Sequence, residues 1–233
     1  MKKQGGVYMI KSKEIGSLIV ISGPSGAGKG TVIQEVLKDN PNCWLSVSMT
    51  SREIRPGEQE GVNYYYVSED EFKQKIKEGY FLEYNNYVGN YYGTPKEFIN
   101  QKRLEGKDVI LEIEINGANN IKKIIDDAIF IFIMPPSWKE LKRRLENRKT
   151  ETKEKIIKRF QTAYREINEV TKYNYVVVND DLEETVEKVK AIMLAEKCRV
   201  DRIEEVYLNS DEEILHEMLI DSKEFVNETP KID

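Results

Sequence analysis

The sequence predicts an α/β domain in which a parallel sheet carries helices on both faces. Two observations support that class: apolar runs alternate with helical periodicity, and helix-start signals fall where the alternation places them. The pairs are Leu18–Ser22 with a helix over 29–39, 108–115 with 117–125, 128–134 with 137–147, and 173–178 with a helix over about 182–197. Capping boxes mark three starts: Thr94 with Glu97 and Pro95 in the first turn, Ser137 with Glu140, and Asp181 with Glu184. Residues 45–93 break the pattern. Short segments at 44–48, 64–67 and 80–84, many tyrosines, and glycines at 57, 61, 79, 89 and 93 predict a small β-rich insertion.

The 233 residues suffice for one large domain with a real core, and 39% hydrophobic with 33% charged residues exclude both a disordered chain and a run of membrane spans. Cys43 and Cys198 lie far apart and His216 is the single histidine, so neither a disulfide framework nor a Cys/His zinc site is expected. The net charge of −5 hides an asymmetry, because residues 199–233 hold 4 basic and 11 acidic side chains. What remains is near neutral, which argues against a broad nucleic-acid surface and leaves phosphate recognition to local basic clusters. The lysine-containing start lacks the apolar centre of a secretory signal, and the expected location is cytoplasmic, with no membrane partner. The expected layout is an N-terminal extension over 1–16, the α/β domain over 17–198, and an acidic extension over 199–233. Ser210 and Glu213 box a short helix there, over about 211–224, with Ile214, Leu215, Met218 and Leu219 on one face.

The strongest local signal is Leu18-Ile-Val-Ile-Ser22 followed by Gly23-Pro24-Ser25-Gly26-Ala27-Gly28-Lys29-Gly30-Thr31 and an apolar-periodic helix. Gly23, Gly28 and Lys29 satisfy GxxxxGK in the strand–loop–helix context that motif needs. Such glycines let successive main-chain N–H groups curl around phosphate oxygens, the helix N-terminus adds its dipole, and Lys29 reaches the terminal phosphates. The residue after the lysine departs from the motif: Gly30 stands where Ser or Thr holds Mg²⁺, and Thr31 follows. The GKGT variant resembles that of adenylate kinase-like enzymes, which implies Mg²⁺ held mainly by ATP phosphates and water, with Thr31 nearby and no assigned protein ligand.

The acceptor side is written in Ser46-Val-Ser48-Met-Thr-Ser-Arg52-Glu-Ile-Arg55-Pro-Gly-Glu58, then Gly61-Val-Asn-Tyr64. Arg52 and Arg55 offer planar, permanently charged forks suited to a phosphate dianion, although loop arginines are also ordinary solvated surface. SVSxTxRxxRPGE, the later Phe81-Leu-Glu83, Gly89-Asn-Tyr-Tyr92-Gly-Thr94 and the phosphate loop together resemble guanylate kinase, in order and spacing, from about Leu18 to Lys197. The resemblance implies a P-loop nucleoside monophosphate kinase with a GMP-binding insertion and a short lid. It implies the reaction ATP + GMP → ADP + GDP with Mg²⁺, and no nucleic-acid partner.

Carried over by matching motif, Arg52, Arg55, Tyr64 and Tyr92 would hold the GMP phosphate, and Ser48, Glu83 and Thr94 would read guanine. A carboxylate such as Glu83 can accept from guanine N1–H and N2–H₂, a donor pair that adenine lacks. Without the resemblance, Glu83 reads as a solvent-facing strand residue. Period two puts Glu112 and Glu114 on one face of their strand, near its carboxyl end, where an α/β sheet borders its ligand crevice. The family usually has aspartate where Glu114 stands, and the implied role is a contact with GMP or metal-bound water; an ion pair with a nearby Lys or Arg is the alternative.

Residues 139–159 hold ten basic and four acidic side chains. Most read as a solvated helical face. Arg144, Arg148 and Arg159 match the arginines of the family's lid, which would make them, with Lys29 and Arg52, the set that stabilises transfer. Asn179 of Asn179-Asp180-Asp181 is the remaining candidate, near the nucleotide edge. Two rival readings remain: a phosphopeptide-binding scaffold module, which lacks a working phosphate loop, and a kinase of a phosphorylated sugar, which has no need of Ser48, Glu83 and Thr94.

Overall fold

A computed structural model of the chain describes residues 8–12, 15–87, 89–146 and 153–208. In chain order the elements are β1 (Tyr8–Ser12), β2 (Leu18–Ser22), α1 (Lys29–Lys38), β3 (Cys43–Leu45), β4 (Met49–Thr50), β5 (Tyr65–Tyr66), α2 (Glu69–Lys77), β6 (Phe81–Tyr87) and β7 (Asn90–Pro95). There follow α3 (Lys96–Leu104), β8 (Asp108–Glu112), α4 (Ile115–Ile121), β9 (Ile129–Met134), α5 (Trp138–Glu146), α6 (Lys153–Ile167), β10 (Tyr175–Val178), α7 (Leu182–Glu196) and β11 (Ile203–Leu208). The chain divides into two compact units, residues 14–194 and a smaller one made of 1–13 with 195–233.

The larger unit is built on a five-stranded sheet of order β10-β9-β2-β8-β3, every pair parallel. Alternation along its strands sends side chains to opposite faces, and each face is buried under different helices. Ile19, Ile21, Ile110, Ile131 and Ile133 meet Val32, Ile33 and Val36 of α1 and Val186, Val189 and Met193 of α7. On the other face Leu18, Val20, Val109, Leu111 and Phe130 meet Ile99 of α3 with Ala118 and Ile121 of α4. This is the predicted architecture, with β2 in the middle because it is apolar on both faces.

A second sheet, of order β5-β4-β7-β6, forms the insertion. Two boundaries differ from expectation. The segment around Trp44 belongs to the core, since β3 pairs with β8 through Trp44 and Val109. The insertion also contains helix α2, whose Ser68 caps it by accepting the Glu71 N–H at 3.2 Å. Phe72 of that helix is fully buried and stacks on Phe81 with ring centroids 4.4 Å apart, so the helix covers the insertion's sheet.

The N-caps at Ser137 and Asp181 form, each side chain accepting the main-chain N–H of the Glu three residues on, while those glutamates turn to Arg143, Arg144 and Lys188. The one at Thr94 does not. Thr94 lies within β7 opposite Glu83, Pro95 takes the N-cap position of α3 without a side-chain bond, and the Thr94 hydroxyl donates across the sheet to Glu83 at 2.6 Å. A third small core of Leu141, Leu145 and Ala163 joins α5 to α6, flanked by Trp138 against Phe160 and Tyr164.

In the smaller unit the two expected extensions pair with each other. β1 runs antiparallel to β11, Tyr8 opposite Leu208 and Lys11 opposite Glu205. The expected helix over 211–224 lies outside the described residues, as does Arg148.

Candidate functional site: a phosphate-loop cleft

The loop after β2 is shaped by two close approaches. Gly23, at φ +149°, passes so near the neighbouring strand that a Cβ would sit 2.1 Å from the Ile133 carbonyl oxygen. Gly28, at φ +90°, starts α1, and a Cβ there would lie 2.4 Å from Asn179 Nδ2. Both positions therefore require glycine, on steric and on conformational grounds. Lys29 folds its ammonium back over the loop, donating to the Gly23 and Pro24 carbonyls at 2.6 and 3.3 Å.

Two of the expected site residues, Asn179 and Arg144, brace this loop. Asn179 is 6% exposed, donates from Nδ2 to the Ala27 carbonyl at 2.7 Å, and accepts the Thr185 hydroxyl at 3.3 Å. These bonds tie its amide to the back of the loop, beside the phosphate site it was expected to serve. Arg144 does the same from α5, donating to the Ala27 and Asn179 carbonyls at 3.3 and 3.0 Å and to Glu140 at 2.8 Å. Glu140 is held down at about 2 by Arg143 and Arg144, so the brace stays charged at any physiological pH.

The loop opens on a cleft of about 510 Å³ at the carboxyl ends of β2 and β8, where an α/β sheet binds its ligands. Gly23, Ser25, Gly26, Gly28, Lys29, Gly30 and Thr31 line one side, and Ser48 and Tyr64 reach in from the insertion. Glu112 and Glu114 border it together, as period two predicts, although the strand ends at Glu112 and Glu114 is the N-cap residue of α4. Burial raises the Glu114 carboxyl, with Lys29 opposing the shift. A Cβ at Gly30 would face the Glu112 carboxylate from 3.7 Å, so the position that departs from the loop motif opens toward an acid. Arg159, Thr162 and Glu166 of α6 close the rim.

Beyond Tyr64 lies a cationic cluster. The Arg52 guanidinium donates to Glu58 at 2.8 Å and stands 5.5 and 5.8 Å from the Tyr64 and Tyr66 ring centroids. Glu58 also accepts the Tyr66 hydroxyl and the Arg55 main-chain N–H, and these bonds, Arg52 foremost, hold it at about 2. Tyr92 packs edge-on against Tyr64, their centroids 5.8 Å apart. Arg52, Tyr64 and Tyr92 thus come together as predicted. Arg55 is exposed, and the structure shows its main chain, not its guanidinium, tied into the cluster.

Glu83 is buried in the insertion with one carboxylate oxygen on Thr94 and the other facing Gly117 of α4, where a Cβ would come within 2.6 Å. Burial and Glu114 push its carboxyl up, and only the Thr94 hydrogen bond opposes them. The reading of Glu83 as a solvent-facing strand residue is overturned. Glu58 and Glu166 received no role from the sequence. Glu58 was signalled by its place six residues after Arg52, and Glu166 by its spacing of seven from Arg159 on one helical face.

A phosphate loop at the strand ends of a parallel sheet, sharing its cleft with Ser48 and Tyr64 of the insertion, defines the P-loop nucleotide-binding class. The Guanylate kinase family model matches residues 16–196. The chain is 56% identical to a guanylate kinase of Clostridium tetani over 89% of this chain and all of that one. It is 53% identical to a guanylate kinase of Caldanaerobacter subterraneus over 86% of this chain and 98% of that one. The crystal structure of guanylate kinase from Anaplasma phagocytophilum superposes with a TM-score of 0.70 at 34% identity, covering 84% of this chain and 93% of that one. The chain belongs to the guanylate kinase family, and it is an ATP:GMP phosphotransferase. Among the described residues no helix is long and apolar enough to cross a membrane.

Proposed function

We propose that the two ends of this cleft divide the reaction, the loop taking ATP and the insertion taking GMP. The observation that supports the division is that Ser48 and Tyr64 of the insertion line the same cleft as Lys29 and Thr31 of the loop. Two nucleotides bound this way present their phosphates to each other, and phosphoryl transfer asks chiefly for that alignment and for charge stabilisation. No general base is needed in this account.

On the donor side the main-chain N–H groups from Ser25 to Thr31 cradle phosphate oxygens, and Lys29 swings from the Gly23 carbonyl to the terminal phosphates. Asn179 and Arg144 act by holding the loop. On the acceptor side Arg52 grips the GMP phosphate with Tyr64 and Tyr92, and Glu58 fixes the guanidinium so that little rotamer freedom is lost on binding. Arg55 joins from the rim. Guanine is read by Ser48, Thr94 and Glu83, whose charged form, disfavoured by burial, is favoured when it accepts the two donors of the base. Arg159, from α6, stabilises the charge that develops on the transferring group, and Arg148 is assigned to it by motif alone.

Mg²⁺ suits the cleft as a partner of the nucleotide phosphates. The hard oxygen donors at that end are Thr31, Glu112 and Glu114, and the described residues hold no set of three acidic, His or Cys groups that would cage an ion. When bound, the ion would neutralise phosphate charge, and Thr31, Glu112 and Glu114 are the residues that would hold it through water. Arg52→Ala tests the acceptor site. It is expected to lose most activity while melting at the temperature of the parent, and unchanged turnover at both saturating and limiting GMP would refute the assignment.

A further inference from the structure

Arg52, to which the acceptor phosphate is assigned, sits on the long connection over residues 51–64 between β4 and β5. A stretch of that length needs bonds of its own to hold a side chain in one place. Glu58 supplies them. Its Oε1 accepts from Arg52 Nη2 at 2.8 Å, and its Oε2 accepts the Arg55 main-chain N–H at 2.9 Å. The Glu58 N–H donates in return to the Arg55 carbonyl at 3.0 Å, closing an Arg55-Pro56-Gly57-Glu58 turn in which Gly57 adopts φ +87°. One half-buried carboxylate thus orders the guanidinium of Arg52 and the main chain of Arg55. Those partners lie in the connection itself. A bond that ties Glu58 to the sheet comes from Tyr66 of β5, whose hydroxyl donates to Oε2 at 2.8 Å. Tyr66 stands opposite Thr50 of β4, and its main-chain N–H donates to Glu60 at 3.1 Å.

We propose that Tyr66 is a positioning residue for the acceptor phosphate: its hydroxyl fixes the Glu58 carboxylate against the insertion's sheet and, through it, aims the Arg52 guanidinium. An ionised carboxylate can only accept, so the Tyr66 proton points at it. With Oε2 anchored, Oε1 offers Arg52 one position, while the Glu53 carbonyl accepts from Nη1 at 2.6 Å. Two fixed acceptors set the plane of a rigid fork, and the N–H groups they leave unused are the ones available to a phosphate dianion. The Tyr66 ring also lies 5.8 Å from the guanidinium and 6.0 Å from the Tyr64 ring, contacts that phenylalanine would keep. The hydroxyl can therefore be removed alone. The inference rests on the assignment of Arg52 to the GMP phosphate and adds what holds Arg52 ready for it.

The test is Tyr66→Phe in the full chain, read by GMP and ATP titrations of coupled ADP production and by a thermal melt. A hydrogen bond to a charged group corresponds to about tenfold or more in an equilibrium constant, and part of that reaches Arg52. KM for GMP is expected to rise about fivefold, while KM for ATP stays within about twofold because the network belongs to the insertion. A double-mutant cycle with Glu58→Ala, measured as GMP affinity, separates positioning from general loosening. Once Glu58 is gone the hydroxyl has nothing to aim, so Tyr66→Phe is expected to add no further loss. A KM for GMP within about twofold of the parent would overturn the proposal, and a lowered melting temperature beside it would mark the hydroxyl as a brace of the fold alone. An equal rise in KM for ATP, or the same fivefold loss with Glu58 absent, would overturn it too. Failure of the Arg52 assignment shows separately, as Arg52→Ala with unchanged turnover at limiting GMP. If Arg52→Ala is impaired and Tyr66→Phe is not, the positioning role falls and the phosphate grip stands.

Discussion

Replacing Glu83 by glutamine should damage GMP recognition without damaging the fold. The side chain is 9% exposed, its Oε1 accepts the Thr94 hydroxyl at 2.6 Å and its Oε2 faces Gly117, and the lone pairs that remain on the two oxygens are the acceptors assigned to guanine. Glutamine has nearly the same shape but puts an NH₂ donor where a carboxylate oxygen stood, so either Thr94 or guanine meets a donor instead of an acceptor. A hydrogen bond to a charged group is worth about 1.5–3 kcal/mol, and losing one raises KM for GMP roughly 10- to 150-fold. The change in kcat should be smaller, because guanine lies away from the reacting phosphates. Stability moves the other way. Burial already disfavours the charged form of Glu83, so the neutral amide should melt no lower than the parent. Coupled ADP production across a GMP titration, with a thermal melt of each protein, reads both effects. A KM for GMP within twofold of the parent, in a folded variant, would refute the assignment of Glu83 to the base.

Asn179→Ala removes the bond to Ala27 and orphans a buried partner, which costs about 1–3 kcal/mol and should raise KM for ATP far more than KM for GMP; equal effects on both would contradict its role as a loop brace. Stability also carries a pH signature at Glu166, which faces Lys29 from α1, Glu114 at the start of α4 and Tyr173 before β10, with Arg159 on its own helix. Burial pushes Glu166 up to about 7, above the usual value of about 4.3. The folded chain therefore holds this proton more tightly than the unfolded chain, and the associated stability is lost as pH rises through that window. Glu166→Gln should gain more in melting temperature over the parent at pH 8 than at pH 5, and an equal gain at both would contradict the burial argument.

Much of this was legible because it is local. The strand, loop and helix around Lys29 follow from glycine spacing and periodicity, and the sheet from apolar runs that must be covered on both faces. What misled was pairing at a distance. Thr94 has every local mark of a helix cap, with Pro95 next and Glu97 three residues on, yet its register opposite Glu83 decides where the hydroxyl goes. Trp44 sits beside the insertion in sequence, but parallel pairing with β8 draws it into the core. Helix α2 was readable: Ser68 and Glu71 form a capping box, and Phe72 and Ile76 follow at helical spacing. The bonds of Asn179 and Arg144 to the Ala27 carbonyl join segments more than a hundred residues apart, and no local pattern marks them. The strand pairing of residues 8–12 with 203–208 joins segments nearly the whole chain apart, and no local pattern announces it.

The most direct test of the account is coupled ADP production from ATP and Mg²⁺ with GMP, AMP, UMP, CMP and ribose 1,5-bisphosphate as parallel acceptors. A carboxylate reading guanine donors, beside a phosphate grip of Arg52, Tyr64 and Tyr92, predicts strong turnover with GMP and background rates with the others. Comparable turnover with AMP, or none with GMP in protein that binds it, would contradict that claim.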